Sequence, residues 1–380
     1  MMWSYKIARI WGIPIRIHVT FLLVLPLFVL VFAVEPTFGF GAFPSKALSY
    51  LFGAMAAVML FVSVLLHELG HSLVAMHYGS RISDITLFLF GGVSQIEEVP
   101  KDPEKEARMA FVGPLVSFVL GVLFLMAYAG AKLVFAPADV ENSSLSSAFT
   151  RLLFLLGYLN VLLGAFNLIP AFPMDGGRIL RAYFAKHTSY VEATRRAASV
   201  GKLLALLMGI VGFFVNIWLV LIAFFVYIGA SEEEAATQLS SMLEDVRVKD
   251  VMSEEVVYVS PEATVGQLLD LMFETKHMGY PVSVEGVESG KGVPLSRVVG
   301  MVTFNDVRKI PPHDREALLV RDIMTPELIT IPKDAHAIEA LKSMRKNGIG
   351  RLLVVDGDEV VGILSRSDLM RSVDILSLRR

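Results

Sequence analysis

The chain of 380 residues contains no cysteine. It therefore forms no disulfide and offers no thiolate to a metal, so a metal site must be built from histidine, aspartate or glutamate. The formal net charge is only −3, and this lack of a basic excess argues against nucleic acid as a partner. The missing cysteines leave the redox compartment of the protein open.

Charge is also missing from long stretches of the chain. Hydrophobic residues make up 54% of the sequence, and residues 51–66 and 152–174 contain no charged side chain. A helix of sixteen residues is about 24 Å long, which is most of the roughly 30 Å hydrocarbon core of a bilayer. We therefore predict a polytopic α-helical membrane protein with six transmembrane helices. Four of them cover residues 17–34, 47–78, 109–134 and 152–169. The other two are the two halves of residues 197–230, which are separated by a turn near residues 212–216.

One apolar stretch does not fit a helical span. Residues 82–96 are rich in β-branched and aromatic side chains, and Gly91 and Gly92 interrupt them. The stretch is too short to cross a bilayer as a helix, whereas its composition favours strands. We expect a hairpin that forms a short membrane-associated β element.

The distribution of lysine and arginine predicts the orientation of the six spans. With the N-terminus inside, thirteen of these residues fall in cytoplasmic segments and three in outer loops. Cytoplasmic loops of membrane proteins carry such an excess. The protein is therefore predicted to be a multi-pass protein of the cell membrane with both termini in the cytoplasm.

The motif HELGH at residues 67–71 follows directly on the uncharged stretch 51–66. In a helix, His67 and His71 lie one turn apart on the same face. This spacing suits two imidazole ligands of one Zn²⁺, with Glu68 placed to act on a water molecule at the metal. Because ionisable side chains at membrane depth are rare and usually functional, we prefer this interpretation to a chance motif at a helix end.

A second motif, NLIPAFPMDGG at residues 167–177, follows the uncharged stretch 152–174. A catalytic zinc takes three protein ligands and keeps one open position, and Asp175 is a candidate third ligand on the same membrane side. Alternatively, Asp175 only caps the next helix. Asn167 lies about two turns earlier and would hold substrate or a developing oxyanion, or else form an interhelical hydrogen bond.

The two motifs together resemble the paired signatures of the site-2 proteases, which are intramembrane zinc metalloproteases. The resemblance covers residues 1–230 as a transmembrane metalloprotease domain. It implies that His67, His71 and Asp175 bind one Zn²⁺ per chain, that Glu68 is the general base, and that Asn167 is a donor to the transition state.

The same resemblance implies the substrates. They would be single-span membrane proteins whose transmembrane segments are cleaved within the lipid bilayer. The strand at Gly91 and Gly92 would receive the substrate, which must unwind locally because a helix hides its carbonyl groups.

The chain repeats itself after a polar, helical linker at residues 231–246. Residues 248–252 match 320–324, and residues 300–306 match 362–368, so a small α+β unit is present twice. The two copies, at residues 247–310 and 318–378, are similar to a tandem pair of CBS domains, often called a Bateman module.

That second resemblance implies a ligand. Thr303 and Asp306 in the first copy, and Ser365 and Asp368 in the second, match the positions that contact phosphate and ribose in such pairs. The pair would bind ATP, ADP or AMP and regulate cleavage, or serve only to form a homodimer.

Two other functions remain compatible with the sequence. A metal-ion transporter or channel gated by the CBS pair would also use intramembrane histidine and aspartate and a broken helix. A pathway for ions, however, needs no glutamate inside the HExxH motif. A catalytically silent scaffold is disfavoured by the complete ligand set.

The predicted orientation can be tested directly with reporter fusions. Reporters at residues 40, 140 and 380 should read outside, outside and inside, respectively, because the positive charges retain the termini in the cytoplasm. A cytoplasmic signal at residue 140 would contradict the six-span arrangement.

Overall fold

The structure, a computed structural model, describes residues 4–88, 91–96, 100, 102–135, 145–284 and 289–378. The predicted outer loop at residue 140 and part of the loop between the β-strands of the first repeat copy lie outside these residues. The chain divides into two compact units, Met1–Ala235 and Ala236–Arg380.

Seven helices are described in the first unit, and the last of them continues into the second. They are α1 (Val19–Val34), α2 (Lys46–His77), α3 (Pro103–Phe135), α4 (Leu145–Asn167), α5 (Asp175–Ala185), α6 (Tyr190–Val215) and α7 (Ile217–Glu244). Serine side chains cap the N-termini of two of these helices. Ser45 accepts a hydrogen bond from the backbone N–H of Leu48 in α2, and Ser189 caps α6 in the same way.

Four of these helices, α2, α3, α4 and α6, are long and apolar enough to cross a membrane. Helix α1 is apolar but has only 16 residues, and α7 is apolar only ahead of the glutamates at residues 232–234. The break between α6 and α7 falls at Asn216, within the predicted range. The count of six spans therefore stays a prediction.

A four-stranded sheet accompanies the helices. Its strands are β1 (Ser4–Ile10), β2 (Ile13–His18), β3 (Ile82–Phe88) and β4 (Gly91–Ile96), in that order across the sheet. The pairs β1–β2 and β3–β4 are antiparallel, whereas β2 runs parallel to β3. The hairpin predicted over residues 82–96 is confirmed as β3 and β4, with Leu89 and Phe90 between them outside the described residues.

Strands β1 and β2 were not predicted from the sequence. The alternation of Ile13, Ile15 and Ile17 with Pro14, Arg16 and His18 is nevertheless typical of a half-buried strand. Ile13 and Ile15 are buried against Leu69 of α2 and Ile85 of β3. The sheet is thereby packed onto the turn of α2 that carries the HELGH motif.

The second unit contains the repeat. Its strands are β5 (Gly279–Ser283), β6 (Val293–Pro294), β7 (Val298–Thr303), β8 (Thr330–Pro332), β9 (Arg351–Asp356) and β10 (Glu359–Ser365). Its helices are α8 (Val265–Thr275), α9 (Phe304–Val307), α10 (Val320–Ile323), α11 (Ala337–Asn347) and α12 (Arg366–Ser377). Strands β5 and β7 form one sheet, and β6-β10-β9-β8 form the other.

The second copy has the order strand, helix, two strands and helix, through β8, α11, β9, β10 and α12. The first copy departs from this order, because its leading segment forms only isolated bridges such as Val259 with Val282. The two-residue strand β6 of the first copy pairs with β10 of the second copy. The two copies are therefore joined by a shared sheet.

Candidate metal centre and its surroundings

Helix α2 brings His67 and His71 onto one face, as their spacing predicts. Both residues are buried, with exposed fractions of 4% and 6%. Their Nε2 atoms are 3.2 Å apart. The two imidazoles therefore present their ring nitrogens to the same small volume inside the first unit.

Asp175 enters this volume as the first residue of α5. The turn that precedes it packs tightly against the start of the helix, and the two following glycines make this possible. A Cβ at Gly176 would collide with the carbonyl oxygens of Leu168 and Ile169, and one at Gly177 would lie 2.5 Å from the backbone nitrogen of Phe172. The glycines thus allow the chain to fold back so that Asp175 faces α2.

The three side chains form one cluster. The Oδ2 atom of Asp175 lies 3.2 Å from Nε2 of His67 and 3.1 Å from Nε2 of His71. Ligands about 2.0–2.2 Å from a tetrahedral Zn²⁺ lie roughly 3.3–3.5 Å apart. Both the distances and the donor set of two imidazoles and one carboxylate therefore fit zinc.

Helix α3 orients the two imidazoles. Nδ1 of His71 donates a hydrogen bond to the carbonyl oxygen of Met109 at 2.7 Å, which leaves Nε2 as the nitrogen that faces His67 and Asp175. Nδ1 of His67 is 2.9 Å from the hydroxyl of Ser117. Such partners fix the tautomer and the ring orientation of metal-binding histidines. Neither Met109 nor Ser117 was identified from the sequence.

Gly113 lies between these two residues on α3 and forms the wall behind the imidazoles. A Cβ at this position would collide with Nε2 of His71 and approach Nε2 of His67 to 2.7 Å. The backbone of α3 can approach the cluster this closely only because the residue has no side chain. Gly113 is thus a further residue of the site, which the sequence analysis did not assign to it.

Glu68 is half-buried and adjoins β4. A Cβ at Gly92 would lie 2.5 Å from Cγ of Glu68, so the strand passes directly over the glutamate. Gly91 has a φ of +131°, which favours glycine. The hydroxyls of Ser72 on α2 and Ser94 on β4, 2.6 Å apart, connect the strand to the helix.

Asn167 is the last residue of α4. Its side-chain nitrogen donates to the carbonyl oxygen of Leu163 in the same helix at 3.0 Å. No hydrogen bond between Asn167 and the His67, His71 and Asp175 cluster is found among the described residues. The structure therefore brings His67, His71 and Asp175 into one cluster and Glu68 against Gly92, and it places Asn167 at the end of α4.

The predicted nucleotide residues occupy equivalent positions in the two repeat copies. Oδ2 of Asp306 accepts hydrogen bonds from the backbone and hydroxyl of Thr303, the latter at 2.6 Å. Asp368 and Ser365 form the same pair of bonds. Each aspartate thus caps the helix that follows its strand.

A cavity of about 420 Å³ lies beside the first of these caps. Thr303 and Asp306 line it from the first copy, and Arg351 and Gly350 line it from the second. Burial lowers the pKa of Arg351 below its ordinary value, and the charge of Asp368 opposes this shift. Ser365 and Asp368 do not line this cavity. Arg351 was not identified from the sequence.

Comparison with known families divides the chain in the same way as its motifs do. The family model of Peptidase family M50 matches residues 55–208, and that of the CBS domain matches residues 248–313 and 320–375. The first match contains the metal cluster, and the second contains both aspartate caps.

Similar proteins extend over the whole chain. A zinc metalloprotease of Methanocaldococcus jannaschii is 37% identical over 380 residues, covering 100% of this chain and 98% of that protein. Rip3 of Mycobacterium tuberculosis is 32% identical, covering 99% and 94%. A solved structure of a site-2 protease from Methanocaldococcus jannaschii is 41% identical and covers 61% of this chain and 95% of that chain, with a TM-score of 0.43.

The close packing of α3 against the imidazoles at Gly113 leads to a prediction about zinc retention. Gly113→Ala should reduce zinc retention by about 10-fold or more, because the added methyl group displaces the imidazoles and positional changes of this kind cost 10–100-fold in metal affinity. Gly130→Ala is the matched control, since it lies on the same helix with nothing within 4 Å of an added Cβ. Elemental analysis after dialysis measures the zinc. Equal zinc in both variants would contradict the proposed wall.

Proposed function

The chain belongs to peptidase family M50, the site-2 proteases, and carries tandem CBS domains; from this premise we propose that it is a zinc metalloendopeptidase that cleaves transmembrane segments within the bilayer. The observation that carries the proposal is the convergence of His67, His71 and Asp175 beside Glu68. The substrates are single-span proteins of the cell membrane, in which this chain is a multi-pass protein with cytoplasmic termini.

Two imidazoles and one carboxylate would hold the metal. When bound, zinc supplies the Lewis acidity that activates water and polarises a peptide carbonyl. Met109 and Ser117 keep the two imidazoles in the orientation in which Nε2 faces the metal. These three donors would leave one position of a tetrahedral zinc site to water or substrate.

Glu68 moves the protons of the reaction. It follows His67 on α2, and its side chain adjoins Gly92 of β4. We assign to it the removal of a proton from the attacking water and the return of a proton to the leaving amine. Asn167 would donate a hydrogen bond to the developing oxyanion with the N–H that is not bonded to Leu163.

Strand β4 would hold the substrate in an extended form. It is the last strand of the sheet order, and its other edge pairs with β3. A substrate segment that unwinds can add to such an edge through backbone hydrogen bonds. The absence of side chains at Gly91 and Gly92 lets that segment approach Glu68 closely.

The roles of ligand and base can be separated by substitution. His67→Ala and Asp175→Ala should lose both zinc and cleavage, because each removes one of three ligands. Glu68→Gln should retain zinc and lose about 10²-fold or more in rate, the scale of general acid–base catalysis. His77→Ala, on the same helix, serves as the control. Full zinc in Asp175→Ala would remove Asp175 from the ligand set.

We further propose that the CBS pair binds an adenosine nucleotide and thereby regulates cleavage. The cavity beside Asp306 supports this, because it combines a carboxylate for ribose hydroxyls with the cationic Arg351 for phosphate. A nucleotide changes the rate only if it binds two arrangements of the protein with different affinities. A homodimer formed through the same pair is a second role compatible with these residues.

The nucleotide proposal predicts unequal effects of two similar substitutions. Asp306→Ala should weaken ATP, ADP or AMP binding about 10-fold or more, since a lost hydrogen bond to a charged group is worth about 1.5–3 kcal/mol. Asp322→Ala removes a comparable capping carboxylate, which bonds Leu319 outside the cavity, and should leave affinity unchanged. Calorimetry and cleavage rates with each nucleotide, including the Asp306→Ala/Asp368→Ala double variant, test this. Wild-type protein that binds none of the three would refute it.

A further inference from the structure

Helix α5 carries a buried arginine six residues after Asp175. Arg181 has an exposed fraction of 3%, and its guanidinium group is engaged on every side. Nε and Nη2 donate to Oε1 of Glu106 at 2.8 and 2.5 Å, and Nη1 donates to Oε1 of Glu233 at 2.6 Å. One cation thus joins three helices, with Glu106 on α3, Arg181 on α5 and Glu233 on α7.

Two aromatic rings hold the guanidinium group in place. Its central carbon lies 5.1 Å from the ring centroid of Phe172 and 4.8 Å from that of Tyr190. Arginine stacks well on such faces. Phe172 belongs to the turn that Gly177 packs against, so this arginine also supports the segment that leads into Asp175.

Burying the charged groups of this cluster costs free energy, so the cluster calls for a functional explanation. Glu106 is completely buried, and its Oε2 atom has no hydrogen-bond partner among the described residues. A buried ion pair is weak evidence for added stability, because desolvation offsets the attraction. What such a pair does well is to define one arrangement of the elements that carry it. Here those elements include α3, which orients both imidazoles, and α5, which supplies the carboxylate.

The third element, α7, extends beyond the first unit. It continues without a break from Glu233 to Glu244. Near its end, Leu243 is fully buried in a core with Val248 and Leu369 of the second unit. A single helix therefore carries both the partner of Arg181 and a core residue of the repeat domain.

We propose that Arg181 is a positioning residue for the metal centre and that α7 acts on Asp175 through Glu233 and Arg181. The inference rests on the proposed function, since it gives α7 a role at the proposed zinc site. A shift of α7 would alter the ion pair between Glu233 and Arg181. Because Arg181 lies on α5, the position of the first turn of α5 would change as well. The CBS pair would in this way influence the metal ligand through the helix that leads into it.

The neighbouring residue on α7 provides a matched control. Glu234 forms an ion pair of 2.7 Å with Lys202 on α6, so Glu234→Gln also removes a carboxylate of α7 that is paired with a cation. That pair does not include α5. A merely structural role predicts similar effects of Glu233→Gln and Glu234→Gln, whereas the proposed role predicts a difference at the metal.

The experiment measures the rate at which zinc leaves the purified full-length protein for an excess of chelator. Glu233→Gln and Arg181→Lys should release zinc about 10-fold faster than wild type, the effect expected when a group that orients a ligand is lost. Glu234→Gln should stay within about twofold of wild type, while Tm falls similarly in both glutamine variants. Equal release from Glu233→Gln and Glu234→Gln would overturn the proposal.

A double variant tests whether Glu233 acts through Arg181. In an Arg181→Met background, Glu233→Gln should add no further acceleration of zinc release, because the intermediary is already gone. Additive effects would contradict the proposed route. If Arg181→Met does not fold, the comparison is made in Arg181→Gln, which also removes the cation. Failure of the protease proposal itself would be recognised separately, by wild-type protein that holds no zinc or cleaves no single-span substrate.

Discussion

The structure of the first unit depends on three electron-rich atoms that face one another inside a membrane domain. Nε2 of His67, Nε2 of His71 and Oδ2 of Asp175 lie within 3.2 Å of each other. A single proton can bridge only two of these three atoms, whereas one divalent cation can bind all three at once. The close approach of Gly113, the glycines that follow Asp175 and the partners on α3 all hold these three atoms close together.

Residues with a chemical signal of their own were predictable from the sequence. The helical period placed His67 and His71 together, and the scarcity of charge in the spans singled out Asp175. Both family resemblances are confirmed by the comparisons. Residues that act through their backbone were not predictable. Met109 contributes a carbonyl oxygen and Gly113 only an absence of side chain, and these properties become visible only when α3 is seen against α2.

Pairing between strands that lie far apart in the sequence was not predictable either. Strands β3 and β4 were expected because they adjoin in sequence, whereas β2 pairs with β3 across the whole length of α1 and α2. The repeat showed a similar limit. Its internal offsets predicted two copies, but β6 pairs with β10 of the other copy. Arg351 reaches the cavity beside Asp306 from the second copy, and a comparison of equivalent positions does not reveal such a contribution.

Proteolysis within a bilayer requires polar groups at depth, each of which is costly unless it finds a partner. Helix α2 concentrates them on one face: Ser63, His67 and His71 recur every four residues. Each has a partner on another helix, namely Asn160 on α4 for Ser63 and Ser117 and Met109 on α3 for the imidazoles. The exposed side of α2 is apolar, with residues such as Val58, Val62 and Leu66. The helix thus carries its buried polar side chains along one face and exposed apolar side chains on another.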